Sequence, residues 1–575
     1  MHVIATAGHV DHGKSTLVRA LTGTDPDRLA EEKARGLTID LGFAALELPS
    51  GRRAGVIDVP GHVRFLRNML AGVGAVDACI FVVDATEGWK PQSEEHLRIL
   101  ELLGVGHAVV ALTKVDIADR DLVELARLDV DAHLEGSAFA DAPVVGVDSL
   151  SGTGLDDLRG ALDAMLDETP TAIDIGRPRL WVDRAFTAKG AGTVVTGTLT
   201  GGRIRVDDEM VVLPGGTSVR VRDIQSHHAA RTKINPGARV ALNLGGISHD
   251  QITRGDVIVK PGQWHLTSVA DASLTVLDGV DHEVSRRGAY LAYLGSGEFA
   301  VRVRVLGPDS LLPGDTGAVR LHLPVAVPLL PGDRFVLREA GRSETVGGGE
   351  ILDVEPVMAA ARARPDRSVE RVIAERGRVD VDHLERITGV RVDATVGRWV
   401  LDPAERARIE SGLATAVTDA AETGLDLSTL DEAERALVAG LEGVVVDAGR
   451  ARTADAIDIA VDHPWLAALR AEPFQPPAPD DVPRDHVREF VRRGIVVDLD
   501  GVAFAAEAVD AAARTIASML ADQPGGVTVA EVRERLATTR KYAVPLLGHL
   551  DATGVTRRRG DMRIGGPRLP DPDPT

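Results

Sequence analysis

Residues Gly8-His9-Val10-Asp11-His12-Gly13-Lys14-Ser15 constrain this chain more than any other stretch. They fit the spacing G-x-x-x-x-G-K-[ST], follow the β-rich run His2-Val3-Ile4-Ala5-Thr6-Ala7 and precede the helix-like Thr16-Leu17-Val18-Arg19-Ala20-Leu21. A strand that turns through glycines into a helix gathers backbone N–H groups at the helix N-terminus, which is an anion site. There Lys14 adds positive charge near the β and γ phosphates, and the Ser15 hydroxyl can ligate Mg²⁺. The pattern predicts an α/β domain with Gly8 through Thr16 wrapped around a nucleotide's phosphates.

Two further strand ends carry matching chemistry. Ala54-Gly55-Val56-Ile57 runs into Asp58-Val59-Pro60-Gly61-His62, which places Asp58 to hold Mg²⁺ through water and the Gly61 N–H to sense a γ-phosphate. Ala108-Val109-Val110-Ala111 runs into Leu112-Thr113-Lys114-Val115-Asp116. A carboxylate at Asp116 accepts two hydrogen bonds from the N1 and N2 edge of guanine, a donor pair that adenine lacks, so GTP is predicted over ATP. Any one of these could be an ordinary turn carboxylate; their order and spacing together set them apart.

Composition bounds the remainder. At about 150 residues per domain, 575 residues suggest roughly four domains. Apolar residues at 44% and charged residues at 26% exclude wholesale disorder, and a net charge of −21 excludes a surface coated with nucleic-acid-binding charge. The single cysteine, Cys79, lies in the apolar run Ala78-Cys79-Ile80-Phe81-Val82-Val83, where it is expected as a buried strand residue. With no basic leader and no apolar run of membrane-spanning length, the expectation is a soluble cytoplasmic protein that engages no membrane.

With these motifs in place, the chain resembles the translational GTPases of the elongation factor Tu class. The stretch Glu31-Glu32-Lys33-Ala34-Arg35-Gly36-Leu37-Thr38-Ile39-Asp40 is similar to their first switch, which implies that Thr38 completes the Mg²⁺ shell. The resemblance also makes His62 the residue that positions the attacking water, alongside Lys14, with Val10 and Leu37 as an apolar gate. Phosphoryl transfer needs positioning and charge neutralisation above all, so this inventory suffices chemically for GTP hydrolysis stimulated by the ribosome. Two positions depart from the family pattern. Thr113 stands where an Asn is usual, removing an amide that ties the base loop together, and Asp148-Ser149 stands where Ser-Ala is common, leaving Ser149 as the candidate base contact.

After a Pro-containing link at 168–178, short β-rich runs between Gly and Pro turns continue to about residue 356, the signature of β-barrels. Trp181 to Thr198 is similar to the opening of the family's second domain; Pro331 to Arg338 and Val346 to Ile351 are similar to its third. The expected division is a P-loop GTPase domain at 1–172, β-barrels at 176–262 and 263–356, and an α+β array of winged helices at 357–575. Within the array, Val379-Asp380-Val381 with Leu384 and Ile387 recurs in form as Val527-Thr528-Val529 with Val532 and Leu536. About four such units fit the remaining length.

The last unit, about 512–566, inverts the chain's charge: eight basic residues face four acidic ones between Glu531 and Arg563. Arg540-Lys541-Tyr542-Ala543-Val544-Pro545-Leu546-Leu547 reads as the entry to a recognition helix with Pro545 in its first turn, and Thr556 to Arg563 as a hairpin wing with a Gly-Asp turn. Arg540, Lys541, Tyr542, Arg557, Arg558, Arg559 and Arg563 are the candidate RNA contacts, against the plainer reading of a solvated basic face. The segment R-K-Y-A-V-P-L-L with its basic wing is similar to the carboxy-terminal domain of the bacterial selenocysteine-specific elongation factors, the SelB family. That resemblance implies a monomer that binds GTP with Mg²⁺, carries selenocysteinyl-tRNA to the ribosome at UGA codons, and grips the mRNA hairpin that specifies selenocysteine. It also suggests an aminoacyl pocket of Asp183, Arg184 and Arg239. A selenol ionises more readily than a thiol, so a cationic pocket would favour it over serine and cysteine; the plainer reading of these residues is a structural ion pair of the barrel. Two other functions remain open: a GTPase delivering another aminoacyl or initiator tRNA, and a winged-helix DNA-binding regulator with a GTPase switch.

Overall fold

The structure is a computed structural model that describes the chain except for residues 1, 27–37, 39, 62–67, 71–75, 189, 191, 227–228, 343, 421–422, 456–458 and 573–575. Two compact units divide it, Met1–Asp393 and Ala394–Thr575. Helices Val369–Arg376 and Val381–Thr388, assigned from the sequence to the C-terminal array, therefore lie in the first unit. No helix among the described residues is long and apolar enough to cross a membrane.

The first unit begins with an α/β layer. Strands β1 (His2–Ala7), β2 (Gly42–Glu47), β3 (Arg53–Asp58), β4 (Ala78–Asp84), β5 (Ala108–Thr113) and β6 (Val144–Gly146) form one sheet in the order β2-β3-β1-β4-β5-β6. All neighbours run parallel except β2 against β3. Helices α1 (Lys14–Thr22), α2 (Pro91–Leu102), α3 (Arg120–Leu134) and α4 (Leu155–Glu168) accompany it. A parallel strand covered on both faces reads as a nearly continuous apolar run, and β1 and β4 are buried throughout. Their side chains alternate between two cores: Cys79, Phe81 and Val83 enter one, while Ala78, Ile80 and Val82 enter the other. Cys79 is a buried free thiol whose pKa burial pushes far up, as its apolar setting anticipates.

Two barrels follow. In the first, strands 209–213, 257–259, 179–181, 192–200, 238–245 and 217–226 pair in that order and the last pairs back to the first. Strand Arg184–Ala188 folds as a hairpin onto 192–200. In the second, Leu266–Val276, Thr316–Pro328, Gly297–Val305, Tyr290–Leu294, Arg334–Glu339 and Glu344–Asp353 close completely. A forked pair joins the barrels, with the Arg179 guanidinium donating to both carboxylate oxygens of Asp333 at 2.6 Å.

The second unit holds separate small cores. Its last motif comprises helices Ala506–Asp522, Val529–Arg535 and Arg540–Ala552 with a three-stranded sheet, in which Val527–Thr528 pairs with Met562–Gly565 and that strand with Thr556–Arg559. The same order recurs upstream, where Leu425–Asp426 pairs with Arg450–Thr453 and that strand with Val444–Asp447. The repeat read from apolar spacing at Val379 is not this one: Arg378–Asp380 belongs to a two-stranded sheet, and the three-stranded topology recurs at 425–453 instead. Pro545 is a correction: the helix starts at Arg540, so the proline lies inside it and not in its first turn. Its missing N–H removes one intrahelical bond, which the packing of Ala543, Leu546, Leu547 and Leu550 in the core must outweigh.

Candidate functional site

The predicted phosphate residues gather where β1, β3, β4 and β5 end. At Gly8 the backbone takes φ +128°, and a Cβ there would meet the Val82 carbonyl oxygen at 2.1 Å, so only glycine can make this turn. Gly13, also left-handed, leads into α1. Lys14 is buried, and its ammonium donates to the carbonyls of Gly8 at 3.0 Å and His9 at 2.6 Å. Burial pushes its pKa down to about 8 against the pull of Asp58 and Asp11; an approaching phosphate would restore full charge. Gly61 lies directly against the loop, since a Cβ on it would fall 2.4 Å from Lys14 Nζ and 2.7 Å from the Val10 nitrogen.

The three residues predicted for Mg²⁺ come together. Ser15 Oγ donates to Asp58 Oδ2 at 2.6 Å and lies 2.7 Å from Thr38 Oγ1, while Thr6 Oγ1 donates to Asp58 Oδ1 at 2.8 Å and fixes the carboxylate. This is an all-oxygen donor set, the kind a hard cation selects, so the residues present fit Mg²⁺. His62 and Leu37 lie outside the described residues.

The base side is built differently from the family pattern. The Thr113 hydroxyl is 2.8 Å from the His12 carbonyl and 3.2 Å from that of Val83, so it supplies the tie to the phosphate loop that the missing amide would have made. Lys114 donates to Asp11 O at 3.0 Å and pairs with the buried Asp84 at 2.6 Å. Asp116 is exposed, free of the core, at the mouth of the loop. Beside it, the Asp148 carboxylate accepts from the amides of Leu150 and Ser151, which shapes the neighbouring loop and leaves Ser149 half-buried.

Several residues at this site escape the motif reading. The Gly8 N–H donates to His96 Nδ1 at 3.1 Å, and the Val10 N–H to Gln92 Oε1 at 3.0 Å. Both side chains project from α2, one turn apart, onto two amides of the phosphate loop. Burial, then Lys14 and His9, push the His96 pKa down to about 3, and burial brings His12 down to about 4. The i, i+4 spacing of Gln92 and His96 was the only signal, and it is common to any helix.

Arg184 and Arg239 line one cavity of about 260 Å³ with Phe43, Phe186, Thr196 and Gln225. Arg239 stacks over the Phe43 ring at 3.4 Å and forms a forked pair with Asp183, whose carboxylate also accepts from Thr196. The Arg184 guanidinium donates to Asp40 Oδ2 at 2.8 Å; Arg254 donates to Asp40 Oδ1 at 2.7 Å and to Asn68 Oδ1. Burial pushes the Asp40 carboxyl up, but Arg254 and Arg184 outweigh it and hold it below the usual range. Asp183 therefore serves its arginine and not the cavity, and Asp40 and Arg254 join a set that sequence spacing did not reveal.

In the second unit, Arg540, Lys541, Arg557, Arg558 and Arg559 are exposed. Tyr542 is half-buried, edge-on to Phe504 at 6.5 Å, with Lys541 over its ring at 5.1 Å. Arg563 is a correction to the predicted contact set: it is buried, and its Nε donates to Asp551 Oδ2 at 3.2 Å, so its charge is spent inside the fold.

Comparisons with known proteins agree with this anatomy. The family model "Elongation factor Tu GTP binding domain" matches residues 1–168, "Elongation factor Tu domain 2" matches 192–259 and "Elongation factor SelB, winged helix" matches 518–564. The selenocysteine-specific elongation factor of Desulfomicrobium baculatum is 40% identical over 351 residues, 61% of this chain and 55% of that protein. The match thus spans little more than half that relative's length. Elongation factor Tu 2 of Streptomyces avermitilis is 34% identical over 61% of this chain and 96% of its own length. The crystal structure of a bacterial selenocysteine-specific elongation factor, EF-Sec, superposes with a TM-score of 0.72 at 27% identity, covering 98% of this chain and 99% of that one.

Proposed function

This chain belongs to the elongation factor Tu family of translational GTPases, and from that premise we propose that it delivers selenocysteinyl-tRNA to the ribosome at UGA codons, in the cytoplasm, while its last winged helix holds the selenocysteine-specifying mRNA hairpin. The observation that carries the reading is the convergence of Arg184 and Arg239 on one small cavity beside Phe43. Arg184, Arg239 and Arg254 contribute three positive charges, against two from Asp40 and Asp183, which leaves a local excess suited to a selenolate and indifferent to the hydroxyl of serine.

In this reading GTP lies along Gly8 to Thr16, with Lys14 on its phosphates and Asp116 on guanine. Mg²⁺, held by Ser15 and Thr38 and through water by Asp58, would supply charge neutralisation to the phosphates. Val10 and Leu37 fence the site, and His62 orients the attacking water. Thr38 and Asp40 are two residues apart, so a switch that moves one moves the other. Asp40 then transmits the nucleotide state to Arg184 and Arg254.

Equilibrium binding of the GTP-loaded protein to selenocysteinyl-tRNA, and to the same tRNA carrying serine, tests the reading. Preference for the selenocysteinyl ester, weakened in GDP, is expected; equal binding of the two esters would remove the assignment of the cavity.

A further inference from the structure

Away from the nucleotide site and the arginine cavity, one more set of ligating side chains converges. His265 immediately precedes strand Leu266–Val276, Glu355 follows strand Glu344–Asp353, and His383 lies in the first turn of helix Val381–Thr388. The two strands pair antiparallel, which brings the start of one beside the end of the other at the same rim of the barrel. Asp380 caps the helix by accepting from the amides of Asp382 and His383, and so fixes the position of His383.

Each of the three residues offers one ligand atom, and these atoms all lie within 4.8 Å of one another. His383 Nε2 is 2.8 Å from Glu355 Oε2, and His265 Nε2 is 3.9 Å from Glu355 Oε1. The second distance is too long for a hydrogen bond, so no direct bond to Glu355 accounts for the approach of His265. A tetrahedral ion with bonds of about 2.0–2.1 Å separates its ligand atoms by roughly 3.3 Å, inside the 4.8 Å that spans all three residues' ligand atoms. The imidazole rings meet nearly perpendicular at 5.9 Å. The side chains keep 21%, 33% and 31% exposure for His265, Glu355 and His383, which leaves a fourth position to water.

Two imidazoles and one carboxylate form a donor set suited to zinc, whereas Mg²⁺ and Ca²⁺ prefer oxygen alone. Around it stands Arg376, whose guanidinium donates to the Glu355 carbonyl and lies 3.4 Å from Oε2. A ligating carboxylate is ordinarily hydrogen-bonded from behind in this manner, which sets its orientation. We propose that His265, Glu355 and His383 bind one zinc-type divalent ion that ties the rim of the second barrel to the helix after it.

The experiment uses the full chain without a histidine tag, stripped with chelator and titrated with Zn²⁺ against a chromophoric competitor. The expected result is one ion per chain at micromolar Kd or tighter, weakened by more than about tenfold in His265→Ala, His383→Ala and Glu355→Gln. Substoichiometric binding, or an unchanged Kd in His265→Ala, overturns the proposal, because the ion would then sit on other histidines. Should a variant fail to fold, zinc-edge X-ray absorption of the wild-type chain decides: two imidazole ligands support the site, and an all-oxygen shell refutes it.

Discussion

The nucleotide site and the basic wing were both visible as residue patterns, yet they survive folding very differently. At the nucleotide site, the described residues picked out for the phosphates or Mg²⁺ lie in the loop from β1 to α1, in the first turn of α1, at or just past the end of β3 or, for Thr38, in the segment before β2. The reason is that the chemistry there is largely backbone chemistry, and strand-loop-helix connectivity fixes the backbone directly. On the wing, side chains carry the charge, and whether each reaches solvent depends on what it meets in the fold. Arg563 pairs across the hairpin with Arg558, but only Arg558 reaches solvent; Arg563 turns inward to Asp551. Charge counted along a sequence overstates the charge a surface presents, whereas loop spacing counted along a sequence is the site itself.

The comparison can be broken at its strong end by Lys14→Ala. Removing a buried ammonium that faces phosphate should cost about 3 kcal/mol or more, roughly a hundredfold in GTP affinity, with the fold intact by circular dichroism. A loss below tenfold would mean that the loop amides alone hold the nucleotide. At the other end, replacing Arg557, Arg558 and Arg559 together with Ala should flatten the salt dependence of hairpin RNA binding by roughly two units of slope. Arg563→Ala should leave that slope untouched and instead lower stability by about 1–3 kcal/mol, because Asp551 loses a buried partner. A change of slope in Arg563→Ala would return that residue to the binding surface.

The limits of legibility follow the same division. The GTPase sheet, both barrels and the last winged helix could be read from apolar runs and turn chemistry, since a run such as Ala78 to Val83 or a turn such as Gly560-Asp561 is a local property. What resisted was pairing between distant residues that no motif links. Asp40 meets Arg254, Gly8 meets His96, and His265 meets His383, and no periodicity relates these positions. Thr113 shows the intermediate case: its substitution for Asn was plain, but only the fold reveals that a hydroxyl aimed at the His12 carbonyl does the same task.

Asp40→Asn sharpens the contrast between backbone and side-chain sites, because it lies where one passes into the other. The amide keeps the shape but loses the charge shared by Arg184 and Arg254. The ratio of aminoacyl-tRNA affinities in GTP and GDP should fall by roughly tenfold, about 1.4 kcal/mol, while GTP affinity itself stays near wild type. If GTP affinity drops in parallel, Asp40 supports the nucleotide pocket directly and transmits nothing.

The last test concerns pH and asks whether α2 truly holds the phosphate loop. His96 accepts the Gly8 N–H through Nδ1, which requires a neutral ring, and its pKa of about 3 lies below the 6.5 of an unfolded histidine. The unfolded state therefore binds a proton that the folded state refuses throughout the window between those values. The stabilisation from keeping the ring neutral is complete above pH 6.5 and drains as pH falls toward 3, with a limiting slope of about 1.4 kcal/mol per pH unit for one proton. His96→Gln keeps an acceptor within reach of Gly8 but cannot titrate, so denaturant unfolding of this variant should show a slope between pH 6 and 4 shallower by close to one proton. Parallel wild-type and variant slopes would mean that the ring protonates without releasing Gly8, and that Gln92 alone anchors the loop to α2.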